Sequence, residues 1–132
     1  MAIGACEACP GLRATVLDPG RVVPIAQRFI SEAGLTERIT ATFCDLTAQS
    51  SELTYDVAVL RSFIQVLSPE QAARAIRNIG RSMPPGGEIY ILGYVLDDTR
   101  SSPWEAAAYD VAFINIYPSS RYRKWISSPI CA

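Results

Sequence analysis

Asp18, Asp45 and Arg61 are the side chains whose type and placement could carry chemistry in this chain. Asp18 closes a β-rich run over residues 13–18. Cys44-Asp45 follows a second run over 38–43, and Arg61-Ser62 stands at the end of a third over 56–61. Gly93 falls in a fourth. In open α/β sheets a ligand sits at the carboxyl ends of the strands. A carboxylate there offers two acceptor oxygens and so accepts from both hydroxyls of a ribose, while a further acid accepts from the amino group of the base. Acids after two successive strands therefore suit a nucleoside. The spacing equally allows a plainer assignment, with Asp18 capping a turn and Asp45 in a loop. The histidine count is 0, so no imidazole is available as a base near neutral pH.

The runs that must position these residues alternate with helical spacing. Asp18-Pro19-Gly20 is turn chemistry. Val22, Ile25, Ala26, Phe29, Ile30 and Ala33 then form one apolar stripe over 22–33, with Pro24 in its first turn and Gly34 at its C-terminal cap. Residues 46–54 are small and polar and read as a loop. The run over 56–61 is apolar between charged ends, which predicts burial on both faces, as in a parallel sheet. Ser68-Pro69-Glu70-Gln71 is a helix start with Gln71 at the capping-box position, followed by a stripe of Ala72, Ile76, Ile79 and Met83. Pro84-Pro85-Gly86-Gly87 stops that helix, and residues 88–95 read as the fourth strand. Ser102-Pro103-Trp104-Glu105 opens a helix over 106–116 that Pro118 ends, and one more short helix is expected over 121–126. Strands alternating with helices predict right-handed crossovers and a mostly parallel sheet, in one domain over residues 1–132.

The bulk composition narrows the partners. A chain of 132 residues with 49% hydrophobic content is globular and long enough to bury a core. Lys plus Arg total 12 against 13 for Asp plus Glu, so no charge excess argues for nucleic acid or an anionic membrane surface. The basic, aromatic run Arg121-Tyr122-Arg123-Lys124-Trp125 is short and reads as a solvated face. No stretch reaches the roughly 18 apolar residues of a membrane span. The first residues lack the basic and apolar regions of a signal peptide, so the expected location is cytoplasmic, with reduced cysteines. Cys6-Glu7-Ala8-Cys9 has CxxC spacing, but only Cys44 and Cys131 remain as further thiol ligands, and no metal site is expected.

Several motifs carry a resemblance in their order and spacing. They are Pro10-Gly11-Leu12-Arg13-Ala14-Thr15-Val16-Leu17-Asp18, then Val22-Val23, then Ala33-Gly34-Leu35-Thr36-Glu37-Arg38-Ile39. Tyr55-Asp56-Val57-Ala58-Val59-Leu60, Ile76-Arg77-Asn78-Ile79 and Pro85-Gly86-Gly87-Glu88-Ile89-Tyr90-Ile91 follow. From about residue 8 to 116 the chain resembles the C-terminal catalytic domain of S-adenosylmethionine-dependent small-molecule O-methyltransferases, the bacterial relatives of the plant caffeate-type enzymes. The resemblance implies a Rossmann-like class I methyltransferase sheet and S-adenosylmethionine as cofactor. It implies methyl transfer to a hydroxyl of a small aromatic or secondary-metabolite substrate. Asp18 matches the family's ribose-binding acid, Asp45 the acid that meets adenine, and Leu46 the apolar residue beside the ring. Arg61 matches a lysine near the cofactor. Cys44 stands where the family usually has glycine, and Asp18-Pro19-Gly20 where it usually reads aspartate, leucine, proline.

Larger departures bear on activity. Measured against the family, the chain begins inside the first helix, without the first strand and the glycine-rich loop that follows it. It also lacks the last two strands and the N-terminal helical domain. The family's histidine base has its counterpart in Gln65, which hydrogen-bonds but does not accept a proton. No catalytic residue is assigned for that reason. Methyl transfer by this chain is therefore expected to be impaired, and the alternative is a non-catalytic α/β binding or partner module derived from such an enzyme. A third reading, a nucleotide-binding oxidoreductase fragment, is disfavoured because no GxGxxG precedes Asp18. Without a strand between them, the strands ending at Asp18 and Arg61 are expected either to pair directly or to self-associate through an open edge.

Overall fold

The computed structural model describes residues 1–94, 96–99 and 101–116. The elements run α1 (Ala2–Ala8), β1 (Ala14–Asp18), α2 (Val23–Glu32), β2 (Ile39–Phe43), β3 (Val57–Arg61), a single 3-10 turn (Ile64–Val66), α3 (Pro69–Arg81), β4 (Glu88–Leu92) and α4 (Trp104–Ile116). β1 pairs with β2 and β3 with β4, both in parallel. The architecture is thus α/β with helical crossovers, as the alternation predicts. The described residues fall into two compact units, Met1–Gln49 and the residues from Ser50 onward.

In the first unit, Cys6, Ile30, Leu35, Ile39 and Ala41 form the buried core. α2 closes with Gly34 at φ +67, a left-handed position where a side chain would be strained. Its N–H donates to Ser31 O (2.9 Å), and that of Leu35 donates to Ile30 O (3.1 Å). This is the paired bond pattern of a Schellman motif, and it drives Leu35 into the core beside Ile30. Arg38 Nη1 donates to the carbonyls of Cys9 (3.2 Å) and Pro10 (2.7 Å), tying the end of the seven-residue α1 to the start of β2. The α2 stripe differs from the predicted one. Val23, Ala26, Ile30 and Ala33 face the core, whereas Ile25 and Phe29 are 51% and 50% exposed. Two five-residue strands cover only a narrow line of the helix. Phe29 instead lies under the Arg28 guanidinium, 5.0 Å from its ring centre.

In the second unit, α3 starts at a full capping box. Ser68 Oγ accepts from Gln71 N–H (3.3 Å), and Gln71 Oε1 accepts from Ser68 N–H (2.9 Å). Its buried line is Ala72, Ala75, Asn78 and Ile79, with Ile76 and Met83 half-buried. Two sequence expectations are corrected here. β3 is not buried on both faces: only Leu60 is buried, while Val57 and Val59 are 51% and 43% exposed. Val57, Val59 and Arg61 share one face by strand alternation, and that face is left uncovered by the described residues. The fourth strand ends at Leu92 rather than residue 95, because Leu92 O accepts from Ser62 N–H (2.7 Å) and the chain then turns off the sheet at Gly93. Of the two outcomes expected for β1 and β3, direct pairing does not occur among the described residues, where each pairs with the strand that its own crossover returns to it; self-association belongs to the proposed function. The helix expected over 121–126 and the stop at Pro118 lie outside the described residues.

Candidate functional site

Parallel pairing brings the ends of two strands to one edge in each unit. In the first unit Asp18 is the Cα partner of Phe43, so Asp18 and Asp45 lie at the same carboxyl edge of the β1–β2 pair. Val22 N–H donates to Pro19 O (2.7 Å), which turns the chain away just beyond Asp18 into α2. The Asp18 side chain is half-buried, and its carboxylate accepts no hydrogen bond from any described residue. Asp45 is exposed, and its Oδ1 accepts from both the N–H (2.9 Å) and the hydroxyl (2.6 Å) of Thr47. Its backbone carbonyl accepts from Ala48 and Gln49, both at 3.0 Å. The segment after β2 is therefore a tight turn nucleated by the Asp45 side chain, with Leu46 half-buried inside it.

An open depression of about 190 Å³ lies between α2 and β2, lined by Gln27, Ile30, Thr36, Ile39, Thr40 and Ala41. It surrounds the amino-terminal half of β2 rather than the edge that carries Asp18 and Asp45. Gln27 Nε2 reaches across it to Ala41 O (3.3 Å).

In the second unit the carboxyl edge holds Arg61, opposite Leu92, and the residues beyond. Ser62 sits at φ +52, an uncommon conformation for a residue with a side chain, and this reverses the chain from β3 into the 3-10 turn. Buried Ile64 and the α3 capping box pin that turn on both sides. Gln65 lies between them. Its Oε1 accepts from Tyr94 N–H (3.3 Å). A Cβ on Gly93 would collide with that same oxygen, so the close approach depends on glycine there.

Tyr94 itself was not evident from the sequence as a site residue. Its ring stacks on Tyr109 of α4, with centroids 4.4 Å apart, and Tyr109 in turn meets Phe113 at 5.7 Å. The signal available was a tyrosine immediately after the strand-ending Gly93. A strand read through to residue 95 places that tyrosine inside the sheet. The Tyr94 hydroxyl is pushed above the ordinary phenol range, first by the Tyr109 hydroxyl, through charge and a hydrogen bond, and then by desolvation and the Glu105 carboxylate. The Arg61 guanidinium pulls the other way.

The family model of the O-methyltransferase domain matches residues 1–125. The chain belongs to this family. It is 27% identical over 111 residues to the L-tyrosine C(3)-methyltransferase of Streptomyces lavendulae, covering 84% of this chain and 30% of that protein. It is 25% identical over 135 residues to the 3-hydroxy-5-methyl-1-naphthoate 3-O-methyltransferase of Streptomyces sahachiroi, covering 98% of this chain and 39% of that protein. Among solved structures it superposes on the S-adenosylmethionine-dependent methyltransferase SibL in its apo form with a TM-score of 0.75 and 30% identity. That match covers 90% of this chain and 33% of SibL. The chain thus spans roughly a third of the length of these relatives. No group of three or more metal-ligating side chains occurs among the described residues, and none of the described helices is long and apolar enough to cross a membrane.

The stacked tyrosines give a direct pH prediction. The protonated phenol is the form favoured in the fold, so the contact is intact at neutral pH and is lost only as pH climbs past the ordinary phenol range. In a ¹³C-tyrosine-labelled sample Tyr94 is expected to titrate later than a free tyrosine. Tyr109→Phe should bring its midpoint back toward the free value. An unchanged midpoint in that variant would show that Tyr109 is not the cause.

Proposed function

We propose that residues 1–132 form a single partial domain that binds the nucleoside part of S-adenosylmethionine, within a methyltransferase acting on a hydroxyl of a small molecule. The observation that carries this reading is Asp18: a half-buried carboxylate at the carboxyl end of a parallel strand, with no hydrogen bond from any described residue. Such a group lacks donors, and a ribose diol supplies two. Asp45 and Leu46 lie on the same edge and complete the proposed contact to the base, although Thr47 already engages one Asp45 oxygen. Arg61, at the carboxyl edge of β3, is kept as a proposed cofactor-binding residue on the family resemblance alone. The cofactor, when bound, supplies an electrophilic methyl group on a sulfonium. The contribution of this chain is to hold and orient, and orientation alone accounts for a large part of the barrier lowering in such transfers.

A second reading, a binding module without turnover, is favoured by Gln65. Its oxygen is committed to Tyr94 N–H, and an amide is no base in any case. A cytoplasmic location, where thiols such as Cys6 and Cys9 stay reduced, is part of the proposal. Val57, Val59, Tyr90, Ile91 and Leu92 leave much of the β3–β4 pair apolar and exposed, and self-association through it is part of the proposal.

Calorimetric titration with S-adenosylhomocysteine tests the cofactor reading. Saturable heat is expected. Hydrogen bonds to a charged group contribute about 1.5–3 kcal/mol, so Asp18→Asn should weaken binding roughly 10- to 100-fold. Absence of heat at millimolar ligand would remove the cofactor from this chain's function. Retained binding with no methyl transfer to any phenol would favour the second reading. For the exposed sheet, light scattering across a dilution series should show a mass above that of one chain that falls on dilution. A single-chain mass at every concentration contradicts self-association.

A further inference from the structure

We propose that a second copy of this chain packs face to face on the β3–β4 pair about a two-fold axis, with Arg61 of each copy set against Glu88 of the other. The inference rests on the proposed self-association through this pair and names its partner and its geometry.

The register defines the face. Val57, Val59 and Arg61 alternate onto one side of β3, and their Cα partners Glu88, Tyr90 and Leu92 lie on the same side of β4. Arg61 and Glu88 are exposed, and Val57, Val59, Tyr90 and Leu92 are each between 43% and 51% exposed. The charges stand at opposite corners, Arg61 at the carboxyl end of β3 and Glu88 at the amino end of β4, with Val59 and Tyr90 between them. The Tyr90 hydroxyl donates to one Glu88 oxygen (2.6 Å) and holds that carboxylate on the face. The second Glu88 oxygen accepts from no described residue, and Arg61 holds no ion pair among the described residues.

Opposite charges at opposite corners make the face complementary to its own copy. A two-fold axis along the strands would set Arg61 on Leu92 and Glu88 on Val57. An axis across the strands would set Arg61 on Val57 and Glu88 on Leu92. Both cover each charge with apolar groups and leave it unpaired, which is costly. An axis along the line from Arg61 to Glu88 would set like charges together. The axis perpendicular to that line sets Arg61 on the other copy's Glu88, and symmetry makes the contact twice. It also keeps Val59 and Tyr90 at the centre. With strands about 4.8 Å apart and a rise of about 3.3 Å per residue, the corner-to-corner line runs about 20° off the strands, so the two sheets cross at about 40°. Aligned sheets pack at about 30°, so this crossing is close to one that sheets adopt. Two five-residue strands bury far less than the roughly 800 Å² per partner of a standard interface, so the dimer is weak and dissociates on dilution.

The test is sedimentation equilibrium on the full chain without cofactor, over a concentration series. The mass should rise with concentration and level off at two chains, because a two-fold contact closes on itself. Glu88→Arg and Arg61→Glu each set like charges together and should weaken the dimer about tenfold. The double variant restores opposite charges and should regain most of that loss. Val59→Lys places a charge at the centre and should leave a single chain. Far-UV circular dichroism establishes that each variant is folded. If Val59→Lys does not fold, the exposed charge series decides. A single-chain mass at every wild-type concentration means that something else covers the face, a further segment of the chain or a different protein. That result removes self-association and this inference together. Growth beyond two chains, indifference to both single reversals, or no recovery in the double variant overturns the two-fold pairing alone and leaves self-association standing.

Discussion

Two strands that run in the same direction cannot be joined by a hairpin. The chain has to leave the sheet at one end of the first strand, cross over, and re-enter at the opposite end. In this protein α2 makes that crossing between β1 and β2, and the 3-10 turn with α3 makes it between β3 and β4. The consequence is that both strands of a pair finish on one edge, Asp18 beside Phe43 and Arg61 beside Leu92. Each residue with a proposed role toward the cofactor lies at that edge or a few residues past it. Edge geometry of this kind follows from parallel pairing and needs no long-range folding of loops.

What happens just beyond each strand then depends on local chemistry. After β2 the Asp45 carboxylate folds back on Thr47 and shapes a turn from its own side chain. After β3, Ser62 takes a positive φ, and the chain reverses at once into the turn that carries Gln65. After β4, Gly93 lets the backbone pass close under that amide. Asp18 differs from these, because its carboxylate is spent on no turn. The contrast between Asp45, partly committed to its own loop, and Asp18, uncommitted among the described residues, makes Asp18 the stronger candidate for an external ligand.

Much of this order is legible in the residues alone. Pro24 and Gly34 bracket α2, and Ser68 with Gln71 announces α3, because capping is a local matter of side-chain oxygens and backbone donors. Strand positions are also legible, since β-branched runs ending in acids are short-range signals. Burial is less so. The Ile25 and Phe29 side of α2 and the Val57 and Val59 side of β3 have the composition of core, yet a two-stranded pair is too narrow to cover them. Hydrophobic periodicity reports a face that suits burial, not how wide the covering layer is. The Gln65–Tyr94 contact was equally out of reach, because it joins residues 29 positions apart through a notch visible only once both strand ends are placed. The family resemblance pointed to Gln65 as a lost base. The geometry adds that its oxygen accepts from Tyr94 N–H.

The central claim is that the acidic edge of the β1–β2 pair receives a nucleoside. Amide chemical-shift mapping of the ¹⁵N-labelled chain during addition of S-adenosylhomocysteine addresses it residue by residue. The account predicts shifts confined in the first unit to Asp18 and its turn and to the segment from Cys44 to Thr47, with Thr36 and Ile39 at the opposite end of β2 unmoved. Shifts centred on the α2–β2 depression, or none at Asp18, would contradict it.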